Sequence, residues 1–324
     1  MRQKRPILLL SMNMPLMGEK AANLFEYFGY KSKNYYHAEA KANYQADNQL
    51  AYYLDMSGRA EFSGTFNENQ IPLYNSKGKF AVHPVMICLY ALGNSEIYGQ
   101  TKKESSRDNL IRVADWLCQF QKADGGWQNQ LAMPKFELEA GFLSAITQGK
   151  GISVLVRAFL VSRESKYVEA ATTALKPFFV DVSNNGVRRQ LGDIVFYEEY
   201  PALKNYQVLN GFIYALWGLL DLVRLTDDRQ AKELWQDGLE SLTQLLPLFD
   251  NGYWSLYQIG DGIKNPATIP YHKMHIEQLK VMFEITGNGL FDEYAVKWQG
   301  YLDSGFNALK TLPQKILWNL SRGL

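Results

Sequence analysis

Residues 208–223 read VLNGFIYALWGLLDLV, and residues 229–246 read RQAKELWQDGLESLTQLL. The first stretch is apolar on every face, so as a helix it belongs inside a layer of other helices. The second repeats its apolar residues at helical spacing and keeps charge between them, so it belongs outside. The same alternation runs outward from this pair. Val85 to Leu92, Asp108 to Gln121, Leu143 to Val161, Tyr167 to Phe178, Val208 to Val223, Gln230 to Leu246, His275 to Thr286 and Phe291 to Tyr301 all carry helical character. Loops rich in Gly, Asn and Asp separate them, at 123–126, 183–186 and 250–252. Inner and outer helices repeated around an axis predict a mainly α fold, an (α/α) barrel or toroid of helical hairpins. A plain bundle would show fewer wholly apolar helices and shorter loops. Residues 1–80 have a different texture of short mixed segments and turns. They are expected to form an N-terminal arm with a β-hairpin, Leu50–Met56 pairing with Arg59–Phe66 across Ser57-Gly58. Residues 81–324 are expected to form the barrel.

Composition narrows the function. Of 324 residues, 47% are hydrophobic and 21% charged, which is globular. Lys plus Arg is 34 and Asp plus Glu is 33, a net charge of +1 that argues against a nucleic-acid binder. Aromatic content is 14%, including 20 Tyr, and suits either a wet cleft or a large core. Cys88 and Cys118 lie in apolar helical runs and read as free thiols. The start, Met1-Arg2-Gln3-Lys4-Arg5 before PILLLSMNMPLMG, has the charge order of a leader, but Asn13 and two prolines interrupt its short apolar run. The cytoplasm is therefore expected ahead of the periplasm, and no membrane span is expected.

Tyr197-Glu198-Glu199-Tyr200-Pro201 is the densest polar-aromatic cluster. Neighbouring carboxylates on an extended backbone point opposite ways, one to a cleft and one to solvent. A carboxylate desolvated beside Tyr rings acquires the raised pKa of a general base. The alternative is a polar loop leading into a helix. Asn251-Gly252-Tyr253-Trp254-Ser255-Leu256-Tyr257 suits a strand with Tyr253, Ser255 and Tyr257 on one face. His272 and His275 stand three apart, as a metal pair or as hydrogen-bonded residues at a helix start. Asp124-Gly125-Gly126-Trp127 is a connector with its Trp packed down, or a platform for a sugar face. Phosphate-binding glycine loops and a GxSxG elbow are absent from the sequence.

In order, Ile71-Pro72-Leu73 with the Pro84 helix, Asp124-Gly125-Gly126-Trp127, Gln148-Gly149 with Ile152 to Ala158, Tyr197 to Pro201, Val208 to Phe212, Leu246 to Asp250, and Tyr271-His272 with His275-Ile276 and Gln278-Leu279 resemble the heparosan-type D-glucuronyl C5-epimerases. The upstream YYLDMSGRAEFSGTFNENQIPL resembles short prokaryotic members. The resemblance implies an (α/α) barrel that inverts C5 of glucuronate to iduronate within a polysaccharide. It implies Glu199 and Tyr271 as an opposed acid/base pair, with Tyr200 and Tyr257 in the same pocket. Trp127, Gln148, Arg157, Asn210 and His272 would contact substrate, and so would Lys77 and Lys79, with Arg188 a further cation. The chain departs from the family at Gln258-Ile259-Gly260, where a basic residue is common, and in its short arm. No metal or other cofactor is expected, because two bases suffice. The expected partners are an anionic glucuronate-containing polysaccharide, drawn in by local charge, and a second copy in a homodimer. The alternatives are a polysaccharide lyase on a similar toroid and a non-catalytic glycan-binding protein.

Overall fold

The computed structural model describes residues 40–76 and 78–321. The leader-like start at Met1–Arg5, and Lys77, lie outside them. The barrel is built from helical hairpins. Its inner helices are α1 (Pro84–Thr101), α3 (Ala145–Ser162), α5 (Leu209–Thr226) and α7 (Ile269–Thr286), each 18 residues long. Their outer partners are α2 (Glu104–Phe120), α4 (Ser165–Thr173), α6 (Arg229–Leu245) and α8 (Gly289–Asp303), with α9 (Gly305–Ser321) closing the chain. Each inner helix ends on a residue in the left-handed region, at Lys102, Arg163, Asp227 and Gly287. That conformation turns the chain out of the helix and sends it straight into the outer one. Four equal units with one stop signal make the fold a repeat of hairpins.

The inner helices pack side by side in chain order, α1 on α3, α3 on α5, and α5 on α7. The α3–α5 crossing is the closest. A Cβ on Gly218 would stand 2.2 Å from the carbonyl oxygen of Gly149. Only glycine lets the two backbones touch there. Pro84–Glu96, Ala145–Ala158 and Leu209–Leu222 are buried without a break, as the all-apolar reading of 208–223 requires.

Long returns lead from each outer helix to the next inner one and carry the strands. β3 (Arg188–Leu191) pairs antiparallel with β4 (Ile194–Tyr197), which runs into Glu198-Glu199-Tyr200. β5 (Tyr206–Val208), β6 (Leu256–Gly260) and β7 (Asn265–Pro266) form a small antiparallel sheet, β6 in the middle. Under it, Phe136, Tyr206, Trp254, Tyr257 and Trp318 make a second apolar cluster.

The arm departs from expectation. Ser57–Arg59 is a 3-10 turn, and Leu54 bridges to Ala42 while Phe66 bridges to Pro72, so no hairpin crosses Ser57-Gly58. The physical reason is Glu96 of α1. Its carboxylate accepts from the backbone N–H of Tyr52 at 3.2 Å and of Met56 at 2.7 Å, donors a strand partner would otherwise take. The hairpin of the arm is β1 (Tyr74–Ser76) with β2 (Lys79–Ala81). Residues 251–254 are also a turn rather than a strand. The Asn251 side-chain oxygen accepts from the N–H of Tyr253 and Trp254, and β6 begins at Leu256. Cys88 is buried and Cys118 half-buried, both free. No helix among the described residues is long and apolar enough to cross a membrane.

Candidate active site

The first turns of all four inner helices open on one cleft. It holds about 1250 Å³ including its mouth, and Pro84, Ile146, Asn210 and Tyr271 stand at the four helix starts. Glu199, Tyr200, Lys150 and Tyr214 line it further, and the arm contributes Met56 and Arg59.

Glu199 sits where β4 has ended and α5 has not begun. Its main chain is pinned by Ser144, whose hydroxyl donates to the Glu199 carbonyl oxygen at 2.7 Å. Its side chain lies against Gly211 of α5, where a Cβ would come within 2.2 Å of Oε2. Oε2 itself has no hydrogen-bond partner. Burial raises the Glu199 pKa to about 7, against the pull of the Tyr200 hydroxyl and of Lys135 and Lys150. A carboxyl in that state exchanges a proton near neutrality.

Tyr200 and Tyr257 extend the group into a relay. Tyr200 acts on the charge of Glu199, and Tyr257 on that of Tyr200, at close range. Burial and the charge of Glu199 hold both phenols well above their ordinary pKa, so both are neutral donors. Phe136 stacks on Tyr200 at 3.8 Å and fixes its ring. Tyr257 lies behind the cleft wall, edge-on to Tyr271 at 4.9 Å. Tyr271, in the first turn of α7, faces the cleft itself.

The neighbouring Glu198 corrects one expectation. It points away from Glu199 but is fully buried, not solvated. Arg189 Nε donates to it at 2.6 Å and Gln207 Nε2 at 3.0 Å. Desolvation still raises its pKa to about 7.

Of the described residues expected to touch substrate, only Asn210 lines the cleft. Trp127, Gln148, Arg157 and His272 are 1% exposed or less, and each makes hydrogen bonds inside the fold. Trp127 donates to the Leu117 carbonyl at 2.8 Å. Gln148 accepts from the Trp127 N–H and donates to the carbonyls of Gly125 and Ala174, locking the Gly-Gly turn to α3. Arg157 donates to Asp221 at 2.6 Å. His272 stacks on Trp254 at 3.7 Å and shares the Ser255 hydroxyl with His275. Burial lowers the His272 pKa to about 4, so the pair is neutral hydrogen-bonded packing. Arg188 on β3 is half-buried and off the cleft, and Lys77 lies outside the described residues, as does the Lys79 side chain. No group of three or more His, Cys, Asp or Glu among the described residues converges as a metal site. Sequence reasoning missed Lys150 and Arg59. Lys150 follows directly on the Gln148-Gly149 motif, which was its only signal.

Residues 121–300 match the family described as D-glucuronyl C5-epimerase C-terminus. A D-glucuronyl C5-epimerase of Caenorhabditis elegans is 36% identical over 220 residues, which are 62% of this chain and 36% of that protein. An uncharacterized protein of Methanocaldococcus jannaschii is 27% identical over 177 residues, 53% of this chain and 56% of that one. The chain thus spans about a third to just over half the length of these relatives. Among solved structures, a cellobiose 2-epimerase from Bacillus thermoamylovorans superposes with a TM-score of 0.57 at 11% identity, covering 76% of this chain and 68% of that one. That likeness carries the (α/α) barrel and nothing further.

Proposed function

The chain belongs to the D-glucuronyl C5-epimerase C-terminal family, and on that premise we propose that it inverts C5 of glucuronate to iduronate within a heparosan-like polysaccharide. The observation that carries this reading is Glu199, a carboxyl raised to about 7 in a cleft it shares with Tyr271. The C5 hydrogen is acidic because it is α to the carboxylate. When its bond breaks, the electron pair moves toward C6 and the carboxylate becomes an enediolate. Glu199 and Tyr271 form the acid/base pair. One takes the proton from C5 and the other returns a proton to the opposite face, with roles exchanged in the reverse direction. The Tyr257–Tyr200 relay replenishes or drains the proton on Glu199 and leaves its second oxygen free for substrate.

A lyase would begin with the same abstraction and then expel the group at C4. The two are separated by incubating the protein with heparosan in deuterium oxide. Deuterium at C5, with no chain cleavage and no absorbance from an unsaturated uronate, is expected. Both Glu199→Gln and Tyr271→Phe should lose exchange and keep binding. Exchange at the parent rate in Glu199→Gln would remove Glu199 from the pair, and absorbance growth would make the protein a lyase.

A further inference from the structure

One cation in the cleft has no counter-ion. Lys150, in the second turn of α3, is 1% exposed and no acceptor reaches its Nζ. No ion pair joins it to Glu199 among the described residues. Its main contact is the face of Tyr214, with Nζ 3.2 Å from the ring centroid. A π face compensates a buried ammonium only partly. Burial pushes its pKa well below the ordinary lysine range, and Arg59 nearby pushes the same way. Three other buried or half-buried cations among the described residues have polar partners. Arg157 pairs with Asp221, Arg189 with Glu198, and Lys315 donates to the Asn265 side chain and the Pro266 carbonyl.

An unpaired buried charge costs stability, and the cost is relieved when an anion arrives. The surroundings favour an anion in a second way. The four inner helices present their N-terminal ends to the cleft, and none has a side-chain cap. The positive ends of their dipoles add potential at the place Lys150 reaches.

Resting on the epimerase reading above, we infer that Lys150 is the receptor for the C6 carboxylate of the reacting uronate. It lies beside the group whose charge grows from one toward two when the C5 proton leaves. The same ammonium therefore holds the substrate and stabilises the enediolate. None of the described cations expected to recognise the carboxylate from sequence, Arg157 and Arg188, lines the cleft.

The test compares two probes on the intact chain: a heparosan tetrasaccharide, and the same tetrasaccharide with its carboxyl groups reduced to alcohols. By calorimetry the parent should bind the acid form at least about tenfold tighter than the reduced form. Lys150→Met should lose that preference, keep the parent's affinity for the reduced sugar, and melt at the same temperature or higher, since a buried unpaired charge is gone. A Lys150→Met protein that still prefers the acid form overturns the inference. So does one that melts lower and weakens both sugars alike, which would make Lys150 structural. A parent indifferent to the carboxylate also overturns it. Deuterium exchange on the polymer judges the epimerase reading separately, because preference for the acid form needs no chemistry at C5.

Discussion

Glu198 and Glu199 adjoin in sequence, share a raised pKa of about 7, and differ in what surrounds them. Each keeps its Oε2 unpartnered, but Glu198 is held away from the cleft by Arg189 and Gln207, whereas the free oxygen of Glu199 is on a residue that lines the cleft. That oxygen gives Glu199 a pH signature. As base it works when ionised, so deuterium exchange should rise with pH and level off above about 7. Stability runs the other way. The folded carboxyl holds its proton more tightly than the unfolded one, so its contribution is present below about pH 4.5 and is lost as pH rises through about 7. Glu199→Gln should therefore match the parent in urea unfolding at about pH 4 and exceed it at about pH 8, by at most about 3 kcal/mol. Equal stability of the two at pH 8 would show that the group is not desolvated. At this scale the sequence was partly legible. Glu199, Tyr200 and Tyr271 stand in loops and helix starts, where a dense polar motif has few packing roles. Trp127, Gln148, Arg157 and His272 sit in motifs just as recognisable, but those motifs encode the locking of turns to helices. Lys150 was illegible because a single Lys in an apolar helix does not tell which face meets the cleft.

The inner helices were the readable elements, because burial on every face leaves an unbroken apolar run. The outer helices followed from their period. What escaped was α9, whose Pro313 and unpaired apolar residues blur its pattern, and the arm, whose backbone donors go to the Glu96 side chain instead of to a strand. No local pattern announces a partner some forty residues away. The start of α5 ties an element to the chemistry. Gly211 stands where an added Cβ would meet Glu199 at both Oε2 and Cβ, the latter at 2.8 Å. Alanine favours helix over glycine by about 1 kcal/mol, so Gly211→Ala should leave helical content intact. It should also push the carboxyl off its position and lower exchange at least about tenfold, since small misplacements of catalytic groups are costly. Circular dichroism and exchange on the same sample check this. Parent-level exchange would mean the Glu199 loop yields freely and the close approach is incidental.

At the scale of the molecule, the arm and the barrel share one core. Tyr53 stacks on Trp217 of α5 at 4.7 Å and its hydroxyl donates to Asp221 at 3.1 Å. Arg157 of α3 completes the knot, donating to Asp221 and, at 2.8 Å, to the carbonyl of Ala51 in the arm. One buried guanidinium thus joins the arm to two inner helices, and the arm in turn delivers Met56 and Arg59 to the cleft. Removing Arg157 would leave Asp221 charged and unpaired in an interior it cannot leave. Arg157→Met should therefore destabilise by about 3–5 kcal/mol. The loss should appear in one transition, because the arm and the inner helices bury one shared core. Tryptophan fluorescence, which senses Trp217 against Tyr53, should fall together with helical circular dichroism along a urea gradient. The variant should also keep the parent's preference for the carboxylate form of the sugar, since the guanidinium never reaches the cleft. Fluorescence changing well before the helical signal would make the arm a separate unit docked on a barrel that stands without it. Loss of the carboxylate preference at full folding would return Arg157 to the substrate path.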